Sequence, residues 1–190
     1  SGKYVQVVIP SKGRTLSLAE VQVFSGGKNI ALKKKTVQTN TANNGNSARA
    51  VDGNTSGKWS DGSITHSVEG TDEPAWEVDL GKSASIEKIS IWNRGDGLES
   101  RLNGCRIMIL DAKRKVVWSR DVPKPHRGDT NLTVTSLSKN KLAGKTIAKI
   151  KQRGGSGRGR GRARRHPEPG KSAYGTAAST RMAINDLIAT

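Results

Sequence analysis

The sequence has a single cysteine, Cys105, so no intramolecular disulfide can form. Aromatic residues make up 4% of the chain and apolar residues 33%, too few for a core that runs through all 190 residues. No apolar run approaches the roughly 18 residues of a membrane-spanning helix, so no membrane span is expected. Acids are scarce: 16 Asp and Glu stand against 33 Lys and Arg, a formal net charge of +17. A signal-peptide pattern is missing, and the chain starts at Ser1, which reads as a processed or excised fragment. The length allows one domain of roughly 150 residues with appendages.

Groups for catalysis are also missing. No paired carboxylates in a glycosidase context, zinc cluster or nucleophile elbow is present. The stretch Gly144-Lys145-Thr146 suggests a phosphate loop, but that motif needs an earlier glycine where Lys139 stands. The expectation is a non-enzyme.

The charge is uneven. Residues 151–190 carry nine Lys and Arg and two acids, while all four tryptophans lie before residue 150. From Gly154 to Arg165 the chain reads GGSGRGRGRARR, with nothing apolar larger than Ala163. Such a segment cannot offset an ordering entropy of roughly 1–2 kcal/mol per residue. A body over 1–150 and a disordered Gly/Arg-rich tail over 151–190 are therefore expected. Alternating Gly and Arg suits contact with a polyanion such as RNA. A solvated linker without a partner is the other reading.

The body reads as short strands between turns. Tyr4–Ile9 and Ala19–Phe24 are rich in β-branched residues. Trp76–Leu80 puts Trp76, Val78 and Leu80 on one face, and leaves Glu77 and Asp79 toward solvent. In Ile86–Trp92, Ile89 and Ile91 share a face. Further strands are expected at Arg106–Leu110, Val116–Ser119, Asn131–Leu137 and Thr146–Ile150. No helical period of useful length occurs. The fold class is all-β, a β-sandwich or jelly roll.

Two loops carry candidate chemistry. In residues 49–63, RAVDGNTSGKWSDGS, Asp52, Asn54 and Ser56 alternate oxygen-bearing side chains as hard cations require. It is not an EF-hand, because the twelfth position is Ser63 rather than Glu. A plain Asp-Gly-Asn turn is the other reading. Residues 93–101, NRGDGLESR, follow a strand, so Arg94, Asp96 and Arg101 should gather at one end of the sandwich. Forked guanidinium donors held by a carboxylate suit a polyhydroxylated ligand. A surface ion-pair group is the alternative.

Together these segments resemble the F-type lectin (fucolectin) family, among the discoidin-like galactose-binding jelly rolls. The likeness is close over roughly residues 29–110. The family's sugar motif is a His, a fixed gap, Arg-x-Asp, four residues, and a basic residue. Here His66 is followed after 27 residues by Arg94-Gly95-Asp96, then four residues and Arg101. The gap is one residue longer than the family's, in the loop SVEGTDE. The resemblance implies that His66, Arg94 and Arg101 contact a fucose- or galactose-like sugar, with Asp96 in support. Where the family often has adjacent cysteines, this chain has Gly97-Leu98, and Leu98 would supply the apolar contact.

The resemblance also implies a structural calcium, held by the carbonyl of Arg49 and the side chains of Asp52, Asn54 and Ser63. The carbonyl of Ala19 and the carboxylate of Glu20 would complete it. Those two lie in KYVQVVIPSKGRTLSLAEVQVF, which resembles the family's final strand and here comes first, a circular permutation. Residues 1–24 either complete this domain or end a preceding repeat, with Thr146–Ile150 as the domain's own last strand. The reading implied is a non-catalytic carbohydrate-binding module, extracellular, periplasmic or on a cell surface, with glycans as partners. A structural module with a decayed sugar site is the competing reading, and the oligomeric state is left open.

Overall fold

Alternating apolar residues give strands with one buried face, and two such faces close on each other. A computed structural model describes residues 1–125 and 129–133. The expected strand Thr146–Ile150, the end of Asn131–Leu137 and the tail over 151–190 lie outside the described residues.

The strands are β1 Gly2–Val8, β2 Glu20–Ser25, β3 Lys28–Asn29, β4 Lys35–Gln38, β5 Ala75–Ala84, β6 Lys88–Trp92, β7 Cys105–Leu110, β8 Val116–Val122 and β9 Asp129–Thr133. They form a five-stranded sheet in the order β4-β5-β1-β7-β8 and a four-stranded sheet in the order β3-β2-β6-β9. Every pairing is antiparallel. Short 3-10 turns at Ser47–Val51, Trp59–Asp61 and Glu99–Leu102 are the only helical pieces among the described residues. Strands β3 and β4 escape sequence reading because they are short and offer little apolar alternation.

Register explains the core. Val5 lies opposite Val78 and Ile109, and Val7 lies opposite Trp76 and Ile107. Across the sandwich, Val21 pairs with Ile91 and Val23 with Ile89. These side chains and Leu80 form one buried cluster. Each buried aliphatic contributes about 1.5–3 kcal/mol. Trp76 buries its indole and donates from Nε1 to the Ser47 carbonyl at 2.9 Å.

The opening residues supply interior strands to both sheets. Strand β1 lies between β5 and β7, and β2 lies between β3 and β6. Gly26 and Gly27, with φ of 55° and 72°, close the β2–β3 hairpin. That left-handed conformation is open to glycine at no steric cost.

The expectation that Glu77 faces solvent is corrected. Glu77 points away from the main core, yet only 2% of it is exposed. Gln6 Nε2 donates to its Oε2 at 2.5 Å, and Arg114 Nη2 does so at 2.7 Å. Arg114 reaches over from the β7–β8 hairpin with its guanidinium 4.5 Å from the Tyr4 ring centre. Burial pushes the Glu77 carboxyl up, and the Arg114 guanidinium opposes the shift. Asp79 stays half-buried, with Lys3 Nζ at 3.9 Å.

Candidate functional site

His66 sits on a segment clamped from two sides. On one side, Thr65 and Ser67 N–H groups donate to the carbonyls of Leu18 and Leu16 at 2.8 and 3.0 Å. The Thr65 and Ser67 hydroxyls accept from the backbone N–H of Leu18 and Leu16 in return. On the other side, His66 N–H donates to the Gly45 carbonyl at 2.9 Å and its carbonyl accepts from Ala42 at 3.0 Å. A Cβ at Gly45 would stand 2.5 Å from His66 Cβ, so glycine is required for this approach.

The clamp leaves His66 only 3% exposed. Its Nδ1 lies 2.6 Å from the Ser67 carbonyl, so this nitrogen carries the proton. Nε2 then accepts from Arg101 Nη1 at 2.8 Å. Burial holds the imidazole below its usual pKa; the Ser67 hydrogen bond is the main opposing effect, and the smaller influences of Arg101 and Arg94 add to the lowering while Glu69 opposes it.

Arg101 lies in the 3-10 turn Glu99–Leu102, anchored by the fully buried Leu102. Arg14 Nη2 donates to the carbonyls of Arg101 and Asn103 at 3.2 and 3.0 Å. The second end of the Arg101 guanidinium meets Glu69 Oε1 at 2.6 Å. Leu98 is half-buried immediately before the turn, where its carbonyl accepts the Arg101 N–H at 3.1 Å.

Arg94 follows β6 and is 8% exposed. It grips Asp96 with two bonds, Nε to Oδ1 at 2.5 Å and Nη2 to Oδ2 at 3.1 Å. The Arg94 bond, with help from the Trp59 N–H at 3.0 Å, holds the Asp96 carboxyl below its usual range.

Trp59 joins these parts, and sequence reading missed it. Its ring centre lies 5.3 Å from the Arg94 guanidinium and 5.6 Å from that of Arg49. The His66 ring meets its edge at 5.6 Å and 81°. Cation–π attraction of this kind contributes about 0.5–2 kcal/mol. An indole in an Asn/Gly/Ser-rich loop with no close apolar partner in sequence was the available signal. Glu69 was missed too, because it lies in the loop that holds the extra residue. Arg94 and His66 thus meet on one aromatic ring, and Arg101 joins them through His66.

The expected metal residues lie beside this platform. Glu20 is fully buried at the start of β2. Its Oε2 accepts the Gly53 N–H at 3.3 Å, and its Oε1 has no hydrogen-bond partner. Burial pushes its carboxyl up to about 7, with the Asp52 charge adding to the shift. Ala19 is buried next to it and donates its N–H to the Trp92 carbonyl at 2.9 Å.

Asp52 and Asn54 make turns in which Asp52 Oδ1 accepts the Asn54 N–H at 2.8 Å and Asn54 Oδ1 accepts the Ser56 N–H at 3.1 Å. Ser63 is buried, with its hydroxyl turned to the Ser56 and Lys58 carbonyls. Ser56 Oγ is engaged by Asp61 Oδ2 at 2.5 Å. Arg49 is in the 3-10 turn Ser47–Val51 and donates from Nη1 to the Ile64 carbonyl at 3.2 Å. Among the described residues, no three His, Cys, Asp or Glu side chains gather as a metal group, and the expected set draws mostly on carbonyl, amide and hydroxyl oxygens.

The loop and the sugar-motif segment touch directly. Gly95 N–H donates to the Gly57 carbonyl at 2.8 Å, and a Cβ at Gly57 would stand 2.8 Å from Gly95 N.

Comparison with known proteins identifies the family and the fold. The model of the NedA-like, galactose-binding domain (F5/F8 type C) matches residues 49–157, more than half of the chain. A fucolectin of Anguilla anguilla is 36% identical over 87 residues, covering 43% of this chain and 54% of its own length. The chain thus spans about half the length of that relative. A fucose-binding module of Streptococcus pneumoniae superposes with a TM-score of 0.54 at 35% identity, covering 58% of this chain and 79% of that one. The lectin domain of lectinolysin, solved with Lewis B antigen, superposes with a TM-score of 0.56 at 31% identity, covering 59% and 79%. The chain belongs to the NedA-like, galactose-binding family of F5/F8 type C domains, as a discoidin-like sandwich of the F-type lectin kind.

Proposed function

We propose that the chain is a non-catalytic carbohydrate-binding module whose site takes a fucose- or galactose-like unit of a glycan. One observation carries the reading: Arg94 and His66 lie against Trp59 and Arg101 bonds to His66, with the Arg94 charge matched by Asp96. Rigid N–H donors beside an apolar ring suit a sugar, which offers vicinal hydroxyls on one side and C–H groups on the other. Both nitrogens of His66 are occupied within the protein, so His66 acts chiefly by aiming Arg101. Trp59 and Leu98 supply apolar contact.

The calcium reading rests on Glu20. A buried carboxylate with one oxygen lacking a partner fits a cation, since an uncompensated buried charge is costly. Glu20, Asp52, Asn54 and Ser63, with the carbonyls of Arg49 and Ala19, would hold calcium, a hard cation that takes six to eight oxygens. Bound there, it would brace the loop that carries Trp59. Glycans of this kind imply an extracellular or cell-surface setting, and a single weak site implies several copies for useful avidity.

The test is a glycan array with wild type, Arg94→Ala and Arg101→Ala. Binding to fucosylated or galactosylated glycans, lost in both variants, is expected. No hit for the folded wild type overturns the reading in favour of a decayed site.

A further inference from the structure

Two guanidiniums in one pocket ordinarily make an anion site, because the forked donors match carboxylate, sulfate and phosphate. Here each is already matched. Arg94 is gripped twice by Asp96. Arg101 meets Glu69 at 2.6 Å while its other end serves His66. Asp96 is a motif residue, whereas Glu69 comes from the loop in which this chain is one residue longer.

Stability does not account for Glu69. Its side chain is 69% exposed, and an exposed ion pair contributes little. The backbone of its loop does not depend on the pair either, because the loop is tied down on its own. Val68 N–H donates to Asn40 Oδ1 at 2.8 Å, and the Thr71 hydroxyl donates to the Val68 carbonyl at 2.7 Å. Thr71 and Arg14 exchange two backbone hydrogen bonds at 2.9 Å each. The carboxylate is held at the rim, against the outer end of Arg101, in a chain whose net charge of +17 draws polyanions toward it.

Resting on the carbohydrate reading above, we propose that Glu69 is a specificity-determining residue: by pairing with Arg101 it restricts the pocket to uncharged glycans and bars sulfated or carboxylated ones. The carboxylate occupies the donors that an anionic substituent would use, and it repels that substituent. Such rejection by a like charge is a common source of specificity.

The experiment compares wild type, Glu69→Gln and Glu73→Gln, the last making the same charge change in the same loop. Sodium sulfate is titrated while nitrogen-15 NMR follows the Arg101 Nε signal. A neutral fucosylated oligosaccharide and its sulfated counterpart are then measured by calorimetry. Glu69→Gln is expected to bind sulfate at Arg101 about tenfold more tightly than wild type, and to shift the sulfated-to-neutral affinity ratio about tenfold toward the sulfated glycan. Glu73→Gln is expected to track wild type. Equal sulfate response in all three proteins, or an equal gain in both variants, overturns the proposal. A wild type that binds no glycan but shows the sulfate contrast overturns the carbohydrate reading and upholds the charge matching at Arg101.

Discussion

Arg101 donates to His66 Nε2 at 2.8 Å while His66 Nδ1 is committed to the Ser67 carbonyl at 2.6 Å. The imidazole is therefore held neutral, in one tautomer, as an acceptor for a guanidinium. Protonating Nε2 would set an N–H against Arg101 and break the bond.

A pH dependence follows. The folded pKa of His66 is lowered, chiefly by burial, so the unfolded chain takes up the proton more readily. The His66 contribution to stability is full above its ordinary value of about 6.5 and is lost as pH falls toward the folded value. Melting temperature should decline on acidification below about pH 6.5, and glycan affinity should fall at the lower pH where His66 of the folded protein takes up its proton. His66→Gln, which lacks this titration, should flatten that part of the profile. Parallel profiles for the two proteins would refute the assignment.

The close approach at Gly45 makes a second prediction. Gly45→Ala would push a methyl group to within 2.5 Å of His66. Overpacking of this kind costs about 1–3 kcal/mol. The variant should melt lower and bind glycan more weakly, because the segment carrying His66 must move. Thermal unfolding and calorimetry on the same sample would check both. Gly27→Ala, where a Cβ meets nothing within 4 Å, is the control for positions away from this clamp, with only its own backbone strain at φ 72°.

Glu20 predicts how metal and protons compete. Its folded pKa of about 7 lies above the ordinary carboxylate value, because of burial. Without metal, its contribution to stability is full below about pH 4.5 and is lost as pH rises through about 7. Calcium needs the ionised form, so the melting-temperature gain on adding calcium should grow across that range. Glu20→Gln should abolish most of the gain. A chelator should lower stability and glycan affinity together, since the Asp52 loop carries Trp59 and backs Gly95. Scanning calorimetry at several pH values, with and without calcium, would decide this. An unchanged melting point in the chelator rules the metal out.

Glu77 tests the fold apart from the site. Glu77→Ala would leave Arg114 without its carboxylate on a largely covered sheet face. Breaking a buried pair on one side costs about 3–5 kcal/mol, and the partial exposure of Arg114 places the loss at the lower end. Chemical denaturation should show that loss, while the folded fraction keeps its glycan affinity. A drop in affinity at full folding would mean that this face and the sugar site are linked.

Strand assignments read from alternation agree with the structure over Trp76–Leu80 and, within Ile86–Trp92, over Lys88–Trp92; Ile86 lies before the strand and packs in the core with Ile89 and Ile91. They miss Lys35–Gln38, where Val37 alone is apolar and the strand exists through pairing with β5. The same limit applies to Glu77. Period-two reasoning puts it on the outer face, and only the β7–β8 hairpin determines that an arginine covers it.

By itself the sequence settled the class of fold, the arrangement of His66, Arg94, Asp96 and Arg101 along the chain, and the oxygen-rich loop after Ala50. Those features are local, because side-chain periodicity and residue order need no partner. Only the tertiary structure decided that Trp59 underlies two arginines, that Glu69 closes on Arg101, and that Glu20 is buried beside Gly53. The Trp59–Arg94, Glu69–Arg101 and Glu20–Gly53 contacts each join segments more than 30 residues apart. The closing of two sheets brings such loops together, and no local pattern encodes which residues then meet.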